Sequence, residues 1–224
     1  MLTLAFESSA KAASVALARD GHLMAQYFQD SGLTHSVTLM KMARDMLQNC
    51  GIAIEELSNI SVSNGPGSFT GIRIGLAAAK GLAWGMDLPV RAVSTLRAAA
   101  IVFQNENVIL CPAMDARRGE VYNALFELHN GMFTRLCDDR AMPAAEVAAE
   151  ANAAGKPYLV MGDGALICYE ALRAEGVDVK LAPPAARLQC AYGVALAALD
   201  APDLPGDEVQ PNYLRVSQAE RLHK

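Results

Sequence analysis

Gly65-Pro66-Gly67-Ser68-Phe69-Thr70-Gly71-Ile72-Arg73-Ile74-Gly75 is the stretch on which the fold turns, because it joins two segments of different period. Before it, Ile60-Ser61-Val62-Ser63 alternates as a short strand does; after it, residues 70–85 are rich in Ala, Leu and Gly in the manner of a helix. A strand, a glycine loop and a helix N-terminus in succession offer backbone N–H groups and a positive dipole end to an anion. Gly65, Gly67, Ser68 and Thr70 are therefore the candidates for an anion-binding or nucleotide-proximal loop. The stretch is not a Walker loop, since GxxxxGK[ST] is absent, and it does not match the GxGxxG of a parallel dinucleotide unit. The same glycines serve a tight turn and close helix packing equally well, and that alternative stays open.

Working outward toward the N-terminus, residues 2–7, 13–18 and 22–29 read as three antiparallel strands, with a hairpin turn at Arg19-Asp20-Gly21. Thr34 is the candidate N-cap of a helix that places Leu39, Met42, Ala43, Met46, Leu47 and Cys50 at helical spacing, and Gly51 stops it. Toward the C-terminus, Val90-Arg91-Ala92-Val93 is a fifth strand, and a further helix to about residue 103 closes a β-β-β-α-β-α-β lobe over residues 1–103. A smaller lobe is expected over residues 104–224. It opens with strands at 108–111 and 121–126 and continues with helices near 144–154, 164–174 and 187–200 around a strand at 158–161. A loop at 201–207 leads to a tail from Pro211 to Lys224. This second half repeats the opening of the first in reduced form.

Two helices carry more apolar surface than one core needs. On the first, Val37 and Met40 widen the apolar face beyond the core stripe, and Arg44 borders it. On the second, Gly71, Gly75, Ala78, Leu82 and Gly85 fall at spacings of four and three, a nearly bare stripe that lets another helix approach closely. Ile74, Leu76, Ala77 and Trp84 are then expected against the sheet or the lobe's own core. Val37, Met40, Arg44, Gly71, Gly75, Ala78 and Leu82 are the candidate partner or dimer interface.

Composition narrows the rest. With 52% hydrophobic and 19% charged residues the chain reads as an ordinary globular protein. A formal net charge of -5 disfavours tight stand-alone nucleic-acid binding, and Arg117, Arg118, Arg215 and Arg221 read as a scattered, solvated set. Five widely spaced cysteines without CxxC suit reduced thiols in a cytoplasmic protein, and neither a leader nor a membrane span is expected. The histidines His22, His35, His129 and His223 stand nowhere at metal spacing, so no metal site is expected, and no catalytic triad can be assembled. Glu7, at the end of the first strand, stands where an actin-like ATPase would want a shorter acid near a metal-bound phosphate.

Taken with Leu4-Ala5-Phe6-Glu7-Ser8-Ser9, His35-Ser36, Asp115-Ala116-Arg117-Arg118-Gly119-Glu120-Val121-Tyr122, Gly162-Asp163-Gly164-Ala165 and Pro211-Asn212-Tyr213-Leu214-Arg215, the glycine block resembles the TsaB (YeaZ) family over nearly the whole chain. The resemblance implies a two-lobed, actin-like α/β fold of the acetate kinase, Hsp70 and actin superfamily, with ribonuclease H-like lobes. It also implies a non-catalytic subunit beside the catalytic paralogue TsaD and the ATPase TsaE. Together these install N6-threonylcarbamoyladenosine at position 37 of tRNAs that read codons beginning with A; the paralogue's HxxxH metal pair is represented in this chain by His35 alone. On that resemblance the chain binds TsaD, and also itself, through the first two helices, and meets tRNA through the complex. No cofactor of its own is required, with room for ATP or ADP at the complex interface. The competing expectations are a small-molecule kinase or ATPase of the same superfamily and a peptidase acting on its paralogue.

Overall fold

The computed structural model describes residues 1–151 and 155–215. Arg221, His223, the end of the expected 144–154 helix and most of the tail lie outside the described residues. β1 (Leu2–Glu7) is buried along its whole length, as a central strand covered on both faces must be. β2 (Ala13–Arg19) and β3 (His22–Gln29) follow it antiparallel, linked by Asp20 and Gly21, whose positive φ values suit a two-residue hairpin. α1 (His35–Cys50) begins after Thr34 and ends where Gly51 turns left-handed at φ 64°. β4 (Asn59–Gly65) lies parallel to β1, α2 (Phe69–Met86) crosses back, and β5 (Val90–Ser94) completes a sheet of order β3-β2-β1-β4-β5. α3 (Thr95–Ile101) follows, its N-cap Ser94 accepting from the Arg97 N–H.

The second half comprises β6 (Ile109–Arg117), β7 (Glu120–Asn123), β8 (Phe126–His129), β9 (Met132–Arg135), β10 (Arg140–Pro143), α4 (Ala144–Ala151), β11 (Tyr158–Met161), α5 (Ala165–Ala174), β12 (Val179–Leu181) and α6 (Ala191–Ala197). The β8–β9 hairpin is an addition. Without it the second sheet runs β10-β7-β6-β11-β12, with the antiparallel and parallel pairs falling as in the first. Two ribonuclease H-like lobes in tandem make the two-lobed, actin-like α/β fold. The second is reduced in the length of its elements and not in their order. The expected single strand at 121–126 divides at Ala124 and Leu125 into β7 and β8.

The closing helices do not respect a boundary at residue 103. Leu96, Ala99 and Ala100 of α3 pack with Leu110, Met114 and Phe126 beneath the second sheet. Ala191, Val194 and Ala195 of α6 pack with Ala5, Ala16 and Ala18 beneath the first. Each lobe is thus closed by the other's last helix, and the two helices touch where a Cβ on Gly193 would stand 2.1 Å from the Ala98 carbonyl oxygen. The chain after α6 also returns to the first lobe. Leu204 exchanges both backbone hydrogen bonds with Val90, and the Asn212 N–H donates to the Asn64 carbonyl oxygen at 2.7 Å.

Candidate functional site

α2 buries Gly71, Ile72, Gly75, Leu76, Ala79 and Ala83. Two of these belong to the stripe expected to face a partner. Gly71 and Gly75 face inward because α2 passes the turn after β1 too closely for any side chain. A Cβ at 71 would stand 2.1 Å from the Ser8 carbonyl oxygen, and one at 75 would stand 2.5 Å from Ser8 Oγ. The rest of the stripe reaches the surface: Ala78 and Leu82 are half-buried and Gly85 has open space where a Cβ would be, as does Gly81 outside the stripe. Trp84, expected against the core, is 91% exposed, since nine residues at 100° each place it opposite Gly75 on the helix. Of the other residues expected inward, Leu76 is buried, Ile74 half-buried and Ala77 exposed.

On α1 the inward stripe is Thr38, Leu39, Met42, Ala43, Met46 and Leu47. Val37 (72% exposed), Met40 (42%) and Arg44 point outward. Met40 and Arg44 of α1, Ile52 and Ile54 beyond it, and Leu82 of α2 line a largely apolar groove of about 780 Å³. An apolar concavity between two outward-facing helices fits a protein surface better than a polar reaction.

A second concavity of about 440 Å³ lies between the lobes, lined by the loops that follow β1, β4 and β11, the C-terminal end of β6 and residues 212–215. Gly67 and Ser68 of the glycine loop line it, whereas Gly65 is buried under the Asn212 backbone and Thr70 points to solvent. At the helix N-terminus the cap residue Ser68 is held by the protein's own groups. The Ser68 N–H donates to the Ser9 carbonyl oxygen at 2.6 Å, and Ser68 Oγ accepts from the Gly71 N–H at 3.3 Å. Gly67 sits where a Cβ would come within 2.4 Å of that same Ser9 oxygen, so the glycines serve close packing.

Glu7 is fully buried at the floor of this seam. The Ser9 N–H donates to its Oε1 at 2.7 Å, as does the Ser9 hydroxyl, while Oε2 has no partner. Burial raises its pKa, only partly offset by the Ser9 hydrogen bonds and the nearby Ser63 hydroxyl, and Asp163 raises it further. Asp163, from the second lobe, is likewise raised by burial, against hydrogen bonds from Gln189 and the Asp115 N–H. Among the described residues, no three His, Cys, Asp or Glu side chains gather to hold a metal ion. His35 ties α1 to the turn after β1, with Nε2–H donating to the Ala10 carbonyl oxygen at 2.8 Å.

A raised folded-state pKa means that Glu7 binds its proton more tightly in the folded chain than in the unfolded one, whose ordinary value is 4.5. Stability linked to this proton is present below that value and is lost as pH rises through the folded pKa. Glu7→Gln is therefore expected to raise the melting temperature at pH 8, with the gain shrinking toward pH 4.5. Thermal melts of both chains across that range check it, and a difference that does not vary with pH would contradict the assignment.

The sequence identifies segments of this site that only the fold assembles. Lys11, Arg117 and Arg215 come from three separated stretches, yet all line the inter-lobe cleft, with Phe69, Tyr122 and Tyr213 beside them. Among the described residues, no helix is long and apolar enough to cross a membrane.

Residues 29–183 match the family model described as TsaD: tRNA N6-adenosine threonylcarbamoyltransferase. The chain is 35% identical over 162 residues to the tRNA threonylcarbamoyladenosine biosynthesis protein TsaB of Bacillus subtilis, covering 72% of this chain and 71% of that protein. Its Escherichia coli counterpart is 38% identical over 129 residues, 57% of this chain and 55% of that one, so the chain spans about half the length of that curated relative. Among solved structures, a Pseudomonas aeruginosa protein described as similar to peptidase YeaZ superposes with a TM-score of 0.79 at 28% identity, covering 96% of this chain and 99% of its own.

Proposed function

This chain belongs to the TsaB family, and from that premise we propose that it is the non-catalytic partner subunit of an assembly that makes threonylcarbamoyladenosine in tRNA. The observation that carries this reading is the outward face of α1 and α2, where Val37, Met40 and Arg44 stand beside Ala78, Leu82 and open glycine positions. Such a face suits a partner built on the same lobe. A TsaD-like transferase binds there, a second copy of this chain competes for the same surface, and a TsaE-like ATPase joins the pair. ATP or ADP belongs at the complex interface, and the assembly works in the cytoplasm.

Reconstitution tests it. The chain is mixed with the transferase and ATPase subunits, complexes are separated by size, and threonylcarbamoyladenosine is measured in tRNA with and without this chain. Complex formation and a strong dependence of modification on this chain are expected. Turnover of ATP by the isolated chain would favour a kinase or ATPase instead, and cleavage of the transferase would favour a peptidase.

A further inference from the structure

We propose that the mouth of the inter-lobe cleft binds RNA directly, holding its phosphate backbone on arginines and an unpaired base on a stacked aromatic pair. This rests on the reading that the chain works in a tRNA-modifying assembly. Lys11, Arg117 and Arg215 line the cleft, Arg118 adjoins Arg117 at the tip of the β6–β7 hairpin, and Arg73 lies over the ring of Phe69 at its rim. Five cations meet here beside four acids, Asp30, Asp115, Glu120 and Asp163, so this face carries a slight positive excess on a chain whose formal net charge is -5. The neighbouring acids pair with three of these cations, of which Lys11 and Arg117 stay exposed while Arg215 is largely covered. Asp115 pairs with Arg117, whose side chain keeps 86% exposure, Glu120 pairs with Arg215, and Asp30 stands 4.0 Å from Lys11.

One feature separates RNA from an acidic peptide as the occupant. Phe69 and Tyr213 stack with centroids 4.5 Å apart, the Arg73 guanidinium lies 3.8 Å above the Phe69 centroid, and its Nε donates to the Tyr213 hydroxyl at 2.9 Å. A peptide carboxylate would use the cations and leave such a platform idle, whereas an unpaired base stacks on it. The hairpin tip supplies charge that either anion could use. Arg117 and Arg118 both take left-handed φ values, 69° and 58°, ahead of Gly119 at 76°, and the Asp115 carboxylate accepts from the Arg117 N–H at 2.7 Å. Asn or Gly would occupy such a turn without strain. The strained turn instead presents two guanidinium groups, the side chain best matched to phosphate.

The test uses R117N/R118N, which removes both charges while placing a residue at ease with left-handed backbone at each position. Labelled, unmodified tRNA is titrated by anisotropy with the chain alone and with its transferase complex, between about 50 and 200 mM salt. The variant is expected to bind tRNA about fivefold more weakly and to lower the log–log salt slope by roughly 1 to 2, with complex formation unchanged. Ultraviolet crosslinking of the wild-type chain is expected to join tRNA to Phe69 or Tyr213. Unchanged affinity and slope within an intact complex overturn the RNA surface and leave the partner reading standing. A wild-type chain that forms no complex strikes the partner reading, and the titration on the chain alone then decides the RNA surface. Displacement of tRNA by ATP with magnesium, but not by inorganic phosphate, assigns the cleft to a mononucleotide and overturns the proposal. Loss of an acidic protein partner in place of tRNA overturns it too.

Discussion

A Met40→Glu chain is expected to fold as the wild type does and to lose its association with the transferase by at least about 30-fold. Met40 stands on the outward face of α1, 42% exposed, while the inward stripe from Leu39 to Leu47 is untouched. A surface change of this kind costs the isolated chain no more than about 0.5 kcal/mol. In the complex the same carboxylate would be taken out of water without a partner, at a cost of about 2 kcal/mol or more. Titration calorimetry with the transferase gives the affinity, and a denaturant melt of the free chain gives the stability. Retained affinity with unchanged stability would mean that the partner sits elsewhere. Val37→Ala, which shortens an apolar side chain on the same face, is expected to weaken binding by a smaller factor.

Gly71→Ala is expected to destabilise the chain by about 3 kcal/mol, although it adds one methyl group to a helix. The added carbon would meet the Ser8 carbonyl oxygen at 2.1 Å, and that oxygen belongs to the backbone of the turn after β1, which a rotamer change cannot move aside. Gly81→Ala, further along the same helix, meets open space. There the ordinary helix preference for alanine over glycine governs, and a gain of about 0.5–1 kcal/mol is expected. Chemical denaturation of the two variants checks both. A Gly71→Ala chain as stable as the wild type would mean that the inward orientation assigned to Gly71 is wrong, and a loss at Gly81→Ala would mean that Gly81 does not face open space.

The first lobe was readable because its signals are local. Short apolar runs and the turn at Asp20-Gly21 mark β1 to β3, Thr34 and Gly51 bracket α1, and the switch from alternation to helical spacing marks the junction of β4 and α2. The second lobe was harder, because β9, β10 and β12 are three or four residues long, too short for a period to emerge. Helix faces were readable only in part. The spacing of Gly71, Gly75 and Ala78 is the same whether the stripe is bare toward solvent or toward the core, and what decides is the turn at Ser8, 63 residues from Gly71 in the chain. Trp84 was within reach of the sequence: the stripe of Ile72, Leu76, Ala79 and Ala83 already turns it outward. The cleft was not, because Lys11, Phe69, Arg117 and Arg215 become neighbours only once two sheets face each other.

The exchange of closing helices has a consequence for how the chain can be cut. A fragment ending after α3 would lack α6, leaving the alanine-lined faces of β1 and β2 bare to water, while the remainder would lack the floor under β6. Neither piece would carry a finished interior, so the halves should melt in one step, and a nick between them should yield a held-together pair in place of two separable modules.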